Sequence, residues 1–251
     1  MVRRCGPRND GMLFLFLVFL LPGCATVTNP ATGRSESIFI DTPSEIALGR
    51  NVAASVERQF PISTNPYAID RVQLIGRRLV TVADRRDVPY RFRVVETKDI
   101  NALSTPGGNI YVFSGLVRGA TDDELAAVLA HEMGHIAARH AVQQLQTALG
   151  YNAIMSVVLR RENAQKVSQA SDLMFGLLQL GYSRAHELEA DTLAVRATAR
   201  AGFNPWGLVT FLEKLKAKEG EGSAAFLRTH PLFAERIDHA RQEIARLNHL
   251  R

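Results

Sequence analysis

Five residues restrict this chain more than any others: His131-Glu132-Met133-Gly134-His135. On an α-helix, positions 131 and 135 lie about 40° apart and one turn along, so both imidazoles project from the same face. The flanking residues predict such a helix. Thr121 can cap its start, and Glu124 three residues later completes a capping box. Leu125, Val128 and Leu129 supply an apolar stripe that has to be buried. Two imidazoles on one face can reach a single zinc ion, and a carboxylate beside the first of them, Glu132, can take a proton from metal-bound water. An amphipathic helix with two unrelated histidines would show the same five residues.

A catalytic zinc ion needs a third protein ligand and an open fourth position. Ala138 and Ala141 stand where the extended metzincin motif would need Gly and His. His140, nine residues after His131, falls about 180° around a continued helix, which predicts a surface or outer-layer histidine. A better candidate lies 52 residues beyond His135, in Ser183-Arg184-Ala185-His186-Glu187-Leu188-Glu189-Ala190-Asp191. With Ser183 as the cap, Glu187, Ala190, Asp191 and Ala194 share a helix face and Glu189 points away. Glu187 could be the ligand, and Asp191 could accept a hydrogen bond from a ligand imidazole and fix its tautomer. Small Ala190 and Ala194 would let this helix approach the first one closely. A solvated acidic helix start, favoured by the helix dipole, is the competing reading.

The chain has 251 residues, enough to bury a sizeable core. Its beginning is set apart from fold reasoning: Arg3, Arg4 and Arg8 precede the apolar run Met12–Leu21 and then Leu21-Pro22-Gly23-Cys24. Ten apolar residues rise about 15 Å as a helix, half a bilayer core, which predicts a signal sequence over 1–23. Residues 21–24 resemble a bacterial lipobox, with Pro22 departing from its commonest form. That resemblance implies cleavage before Cys24 and its acylation, palmitate included, so that lipid chains would anchor the protein. Cys5 and Cys24 are the only cysteines, so the mature chain cannot close an internal disulfide. Removing Arg3, Arg4, Arg8 and Asp10 takes the net charge from +5 to +3, too mild and too scattered for nucleic acid.

Residues 24–42, rich in Thr, Ser, Gly, Asn and Pro, predict a flexible tether, and 43–251 the folded domain. Helices are expected from Pro43 through Val56 and over about Ile69–Ala83. The β region surrounds the turn Thr105–Asn109, with Phe92, Val94 and Ile100 before it and Ile110–Phe113 after it. Everything after Thr121 reads as helical, and Ile154–Leu159 and Leu173–Leu180 are too short to span a membrane, so they predict core helices or a lid. The expected fold is α+β: a mostly helical body with a small antiparallel sheet.

His-Glu-x-x-His, followed some fifty residues on by Glu187-Leu188-Glu189-Ala190-Asp191, resembles the HtpX- and BepA-like zinc metallopeptidases. Asn101-Ala102 before Pro106-Gly107-Gly108, and Thr229-His230-Pro231, extend the resemblance. It is closest to short, single-domain periplasmic lipoproteins of that family, since no apolar stretch suits the membrane spans of HtpX-like members. The resemblance implies a zincin-like domain with one zinc ion held by His131, His135 and Glu187, Glu132 as general base, and Asp191 positioning the metal site. It further implies that His230 approaches the metal or the reacting oxyanion, and that Arg236 faces the site. Unfolded or misfolded envelope polypeptides are the implied substrates. Ala25 after Cys24 implies the outer membrane, facing the periplasm, as the location.

An extended substrate would pair with a strand edge near Asn101–Ser104 or Ile110–Phe113, reading backbone more than side chains. The alternative function is a lipoprotein chaperone or assembly factor whose zinc is structural or whose cleft is normally closed. A zinc hydrolase of small amides is a third reading, which the Glu187–Asp191 helix and the export signal disfavour.

Overall fold

The computed structural model describes residues 25–159, 164–217, 224–231 and 234–249. The expected signal segment, 1–23, and Cys24 lie outside these residues. The chain opens with an antiparallel hairpin, β1 (Ala25–Thr28) and β2 (Ser35–Ile38), pairing Thr28 with Ser35 and Ala25 with Ile38. This departs from the flexible tether expected over 24–42. Ile38 and Ile40 are buried with Leu48, Val52, Val142, Leu145 and Met174 in a core of their own. Asn29, at the hairpin turn, is buried as well. Its side-chain oxygen accepts from the backbone N–H groups of Ala31 and Thr32, a turn that composition alone renders as a linker.

Helix α1 (Thr42–Gln59) starts where expected, with Asp41 accepting from the Ser44 N–H. Helix α2 spans Pro66–Val80, three residues earlier than expected, because Asn65 caps it and Pro66 occupies its first turn. Strands β3 (Arg91–Val95), β4 (Ala102–Ser104) and β5 (Asn109–Phe113) form a second sheet, in the order β3-β5-β4. This sheet is mixed: β4 runs antiparallel to β5, as expected, but β3 runs parallel to it. The tight 3-10 turn Pro106–Gly108 forces the antiparallel β4–β5 return, whereas β3 reaches β5 through a longer connection and enters in the same direction. Central β5 is buried on both faces, which fits its unbroken run of Ile110, Tyr111, Val112 and Phe113.

The remainder is helical: α3 (Ser114–Gly119), α4 (Asp122–Ala137), α5 (His140–Leu159), α6 (Ala164–Leu180), α7 (Arg184–Arg200), α8 (Trp206–Ala217), α9 (Ala224–Thr229) and α10 (Ala234–His249). The capping box at Thr121 and Glu124 is present in full. Helix α4 is the central rod, almost wholly buried, with the sheet, α2, α7 and α8 around it. Its tightest neighbour is α7. A Cβ on Gly134 would stand 3.1 Å from the Ala190 carbonyl oxygen, and Ala190 and Ala194 are fully buried against that face. Small residues at this crossing bring the two helix backbones close enough for short side chains to meet between them. Among the described residues no helix is long and apolar enough to cross a membrane.

Ala190→Leu is expected to overpack this crossing. Thermal denaturation of the metal-free protein should show a loss of about 1–3 kcal/mol, the usual range for added core volume. A variant as stable as the parent would mean that the two helices are not in close contact.

Candidate metal centre

The α4–α7 crossing brings together residues 52 positions apart in the chain. His131 and His135 leave the buried face of α4, Glu187 leaves the first turn of α7, and His230 arrives just beyond α9. One donor atom from each lies within 4.8 Å of the other three, and all four residues are buried. Nε2 of His135 is 3.0 Å from Nε2 of His131, and the Glu187 oxygens are 3.4 Å from each of these nitrogens. Nδ1 of His230 is 3.4 Å from His131 Nε2 and 3.2 Å from Glu187 Oε1. Lone pairs aimed at one another at such distances repel unless a proton or a cation lies between them. A tetrahedral ion with bonds of roughly 2.0–2.1 Å sets its ligand atoms about 3.3–3.4 Å apart, so this donor set fits a zinc-sized cation.

The surrounding groups hold the donors from behind. Nδ1 of His131 is 2.9 Å from Asp191 Oδ1. Arg236 grips Asp191 with two parallel bonds, Nε and Nη2 each donating over 2.8 Å, and its Nη1 is 2.6 Å from Glu187 Oε2. It is the largest fully buried side chain among the described residues. Expected to face the site, Arg236 reaches it through the carboxylates of α7. Glu132 is fully buried, with Oε1 3.2 Å from Nε2 of His230.

Burial alone would push the Glu132 carboxyl up; His230, with smaller help from His135 and His131, holds it down at about 2. Burial likewise opposes a charge on His230, yet Glu187 and Glu132 together raise it to about 10. His135 is driven well below the ordinary imidazole range, first by burial and then by its like neighbours His131 and His140, with Glu187 opposing. That leaves its ring nitrogen free to donate a lone pair.

His140 departs from the sequence reading in part: it is no surface residue but lies in the layer behind His135. Helix α4 ends at Ala137, and Arg139 adopts a left-handed φ of 55°, so α5 begins with His140 turned back toward the site. His140 is fully buried, its Nδ1 2.8 Å from His135 Nδ1. The helical wheel placed it on the far side because it extended the helix past its end. Tyr182 was not singled out by sequence reasoning. Its ring stacks on His135 with centroids 3.9 Å apart, and its N–H donates to the Thr229 carbonyl. Gly181 makes this cover possible: it has a φ of +88°, and a Cβ there would lie 2.6 Å from the Arg228 carbonyl oxygen.

Asn101 and Ala102 are buried under α9. The Asn101 amide donates to the Ala225 carbonyl at 3.4 Å and accepts from the Thr229 hydroxyl at 3.3 Å. Ala102 opens the outer strand β4 and Asn101 stands just before it, but neither lies on an open edge. The other expected pairing segment, Ile110–Phe113, is the central strand and offers no edge at all.

A buried His-His-Glu set on two crossing helices, with a carboxylate beside its first histidine, defines a class: the metal-dependent peptidases. Residues 67–244 match the sequence model of Peptidase family M48, well over half the chain. The chain belongs to that family and is a metalloendopeptidase. It is 35% identical to Metalloprotease LoiP of Escherichia coli (strain K12) over 179 residues, covering 68% of this chain and 71% of that protein. It is 29% identical to the Beta-barrel assembly-enhancing protease of the same organism over 226 residues, 85% of this chain but 46% of that protein. Metalloprotease YcaL, also of that strain, is 27% identical over 246 residues, 90% of this chain and 97% of its own length.

Two outcomes follow from this geometry. Arg236→Met leaves Glu187 and Asp191 buried without their cation, so unfolding of the metal-free protein should show a loss of about 3–5 kcal/mol. A loss under 1 kcal/mol would show that Arg236 is not their main counter-charge. His230 gives the metal-free protein a pH dependence. Its folded pKa of about 10 exceeds the ordinary 6.5, so its stabilisation is complete below pH 6.5 and is lost as pH rises through 10. Urea midpoints measured in chelator from pH 6 to 10 should fall, and His230→Leu should flatten the slope.

Proposed function

We propose that this chain is a zinc-dependent endopeptidase of the bacterial cell envelope, anchored by lipid on Cys24 after removal of residues 1–23, and acting on unfolded or misfolded envelope polypeptides. One observation carries the catalytic reading: four donor atoms within 4.8 Å of one another, with the Glu132 carboxylate beside them. His131, His135 and Glu187 would hold the ion. Zinc held there would supply a Lewis acid that polarises a peptide carbonyl and acidifies water.

The chain's own groups do the rest. Glu132, ionised at neutral pH, accepts the proton of the attacking water and returns it to the leaving amine. Asp191 and Arg236 fix the angle of His131 and the position of Glu187. His230, whose Nδ1 stands among the donor atoms, would have to withdraw for substrate to enter. Its Nε2 side can then donate to the oxygen on which negative charge develops. Backbone pairing along β4, the outer strand carrying Ala102, with Asn101 just before it, would favour extended segments over folded ones.

Entry would require the Tyr182 segment and α9 to move, because the first covers His135 and the second covers Asn101. That closure favours a second reading: an assembly factor or chaperone of the envelope whose metal site is normally shut. The names of the relatives are compatible with either, one being called a beta-barrel assembly-enhancing protease.

Glu132→Gln separates the two. The variant should keep its metal, measured by elemental analysis, while its turnover of casein falls about 10²–10⁴-fold, the usual contribution of a general base. A chelator should silence the parent, and added zinc should restore it. Full proteolysis by the purified variant would refute the mechanism. Inactivity of the metal-loaded parent towards every unfolded substrate would favour the assembly reading.

A further inference from the structure

The two ligand imidazoles are braced differently. His131 has Asp191 directly behind it, whereas among the described residues the partner behind His135 is an imidazole. Its Nδ1 meets His140 Nδ1 at 2.8 Å, and His140 Nε2 meets Glu189 Oε2 at 3.1 Å. That same oxygen accepts from the Asn29 amide at 2.7 Å, and the amide's other hydrogen goes to Glu36 Oε1, also at 2.7 Å. Asn29 cannot be flipped, because its oxygen already accepts from Ala31 and Thr32 N–H. The row therefore runs from the N-terminal hairpin, through α7 and the start of α5, into the metal centre.

With both rings neutral, as a metal-binding His135 requires, the donor and acceptor roles along the row follow from Glu189. Glu189 accepts, so His140 presents its Nε2–H to it, and a neutral imidazole with that proton can only accept at Nδ1. His135 must then donate from Nδ1, which leaves Nε2 bare and facing the other ligand atoms. We propose that His140, oriented by Glu189 and Asn29, is a positioning residue that sets the tautomer and ring angle of His135 for the metal. This rests on the reading of His131, His135 and Glu187 as the ligand set.

The backbone supports the assignment. Arg139 holds a left-handed φ of 55°, unusual for a non-glycine residue, and that turn aims His140 inward. The strain is held by the Arg139 side chain, which donates to Thr42 Oγ1 at 2.8 Å and to the Ile40 carbonyl at 3.3 Å, and pairs with Glu45 at 3.1 Å. His140 is further fixed by stacking on His186, with ring centroids 4.2 Å apart and planes at 11°.

The test compares His140→Phe, which keeps the stacking ring but removes both nitrogens, with His140→Asn, whose side-chain oxygen can stand where Nδ1 stood. Full-length chains are stripped and titrated with zinc against a chromophoric chelator, and the metal-free melting temperature is read in parallel. His140→Phe should weaken zinc binding about 10–100-fold, the usual effect of losing such a partner. His140→Asn should remain within a few-fold of the parent, and both variants should melt near the parent when metal-free. Equal affinity for parent and His140→Phe would overturn the inference and leave the ligand assignment standing. Should His140→Phe fail to fold, Glu189→Gln decides: about tenfold weaker binding supports the inference, and unchanged binding overturns it. A parent that binds no zinc would overturn the ligand set, and this inference with it.

Discussion

Three carboxylates with almost no access to water, Glu132, Glu187 and Asp191, meet at one crossing of two helices, and the rest of the molecule has to neutralise them. Arg236 supplies one fixed positive charge. Without a metal, protons on two of the buried imidazoles, His131 and His230, are favoured. Burial acts against protonated His131 and His230, but Glu187 and Asp191 raise the first, and Glu187 and Glu132 raise the second to about 10. A divalent cation carries the same charge as those two protons. An ion that replaced protons on those two rings would leave the buried charge nearly constant. The buried charge is thus the reason for the arginine, the histidines and the tight helix crossing alike.

Much of this was legible because helix geometry is periodic. His131, His135, Glu187 and Asp191 were placed by counting residues on two capped helices, and small Ala190 announced the close approach. Counting failed where a helix stopped. His140 was assigned to the far side of α4 by continuing a wheel that Arg139 breaks with a left-handed residue. Glu189 does point away from the ligand face of α7, but it points at Asn29, on a hairpin that composition presented as a linker. Turn-rich residues are shared by linkers and hairpins. What separates them here is the burial of Ile38, Ile40 and Asn29, a long-range fact that no local window contains. The parallel pairing of β3 with β5 was hidden for the same reason.

The hairpin also bears on the lipid anchor proposed above. If Cys24 carries the lipid, the anchor precedes β1 directly, and the turn of that hairpin reaches Glu189, two contacts from a ligand histidine. In that case no flexible spacer would separate the anchor from the body, and the orientation of the domain over the bilayer would be set by packing. The mouth of the site would then face a defined direction relative to the membrane.

Access depends on which contacts yield first, and their distances decide it. Three bonds of the cover are long, Tyr182 N–H to Thr229 at 3.3 Å, Asn101 to Ala225 at 3.4 Å and the Thr229 hydroxyl to Asn101 at 3.3 Å, while the Gln144 amide holds the Gly181 carbonyl at 2.8 Å. Bonds between neutral groups each contribute only about 0.5–1.5 kcal/mol net, and the long ones lie at the weak end of the distance range. The Tyr182–His135 stack adds about 0.5–1.5 kcal/mol more. The shell behind the donors is of another order, since breaking a buried charge pair by removing one partner costs about 3–5 kcal/mol. On the proposed reading, an extended polypeptide that pairs with β4 and buries apolar side chains on arrival would displace the cover and His230 while leaving His131, His135 and Glu187 in place. On that proposal, such a gate would open for a segment able to form those bonds and stay closed to folded proteins, whose backbone is already paired.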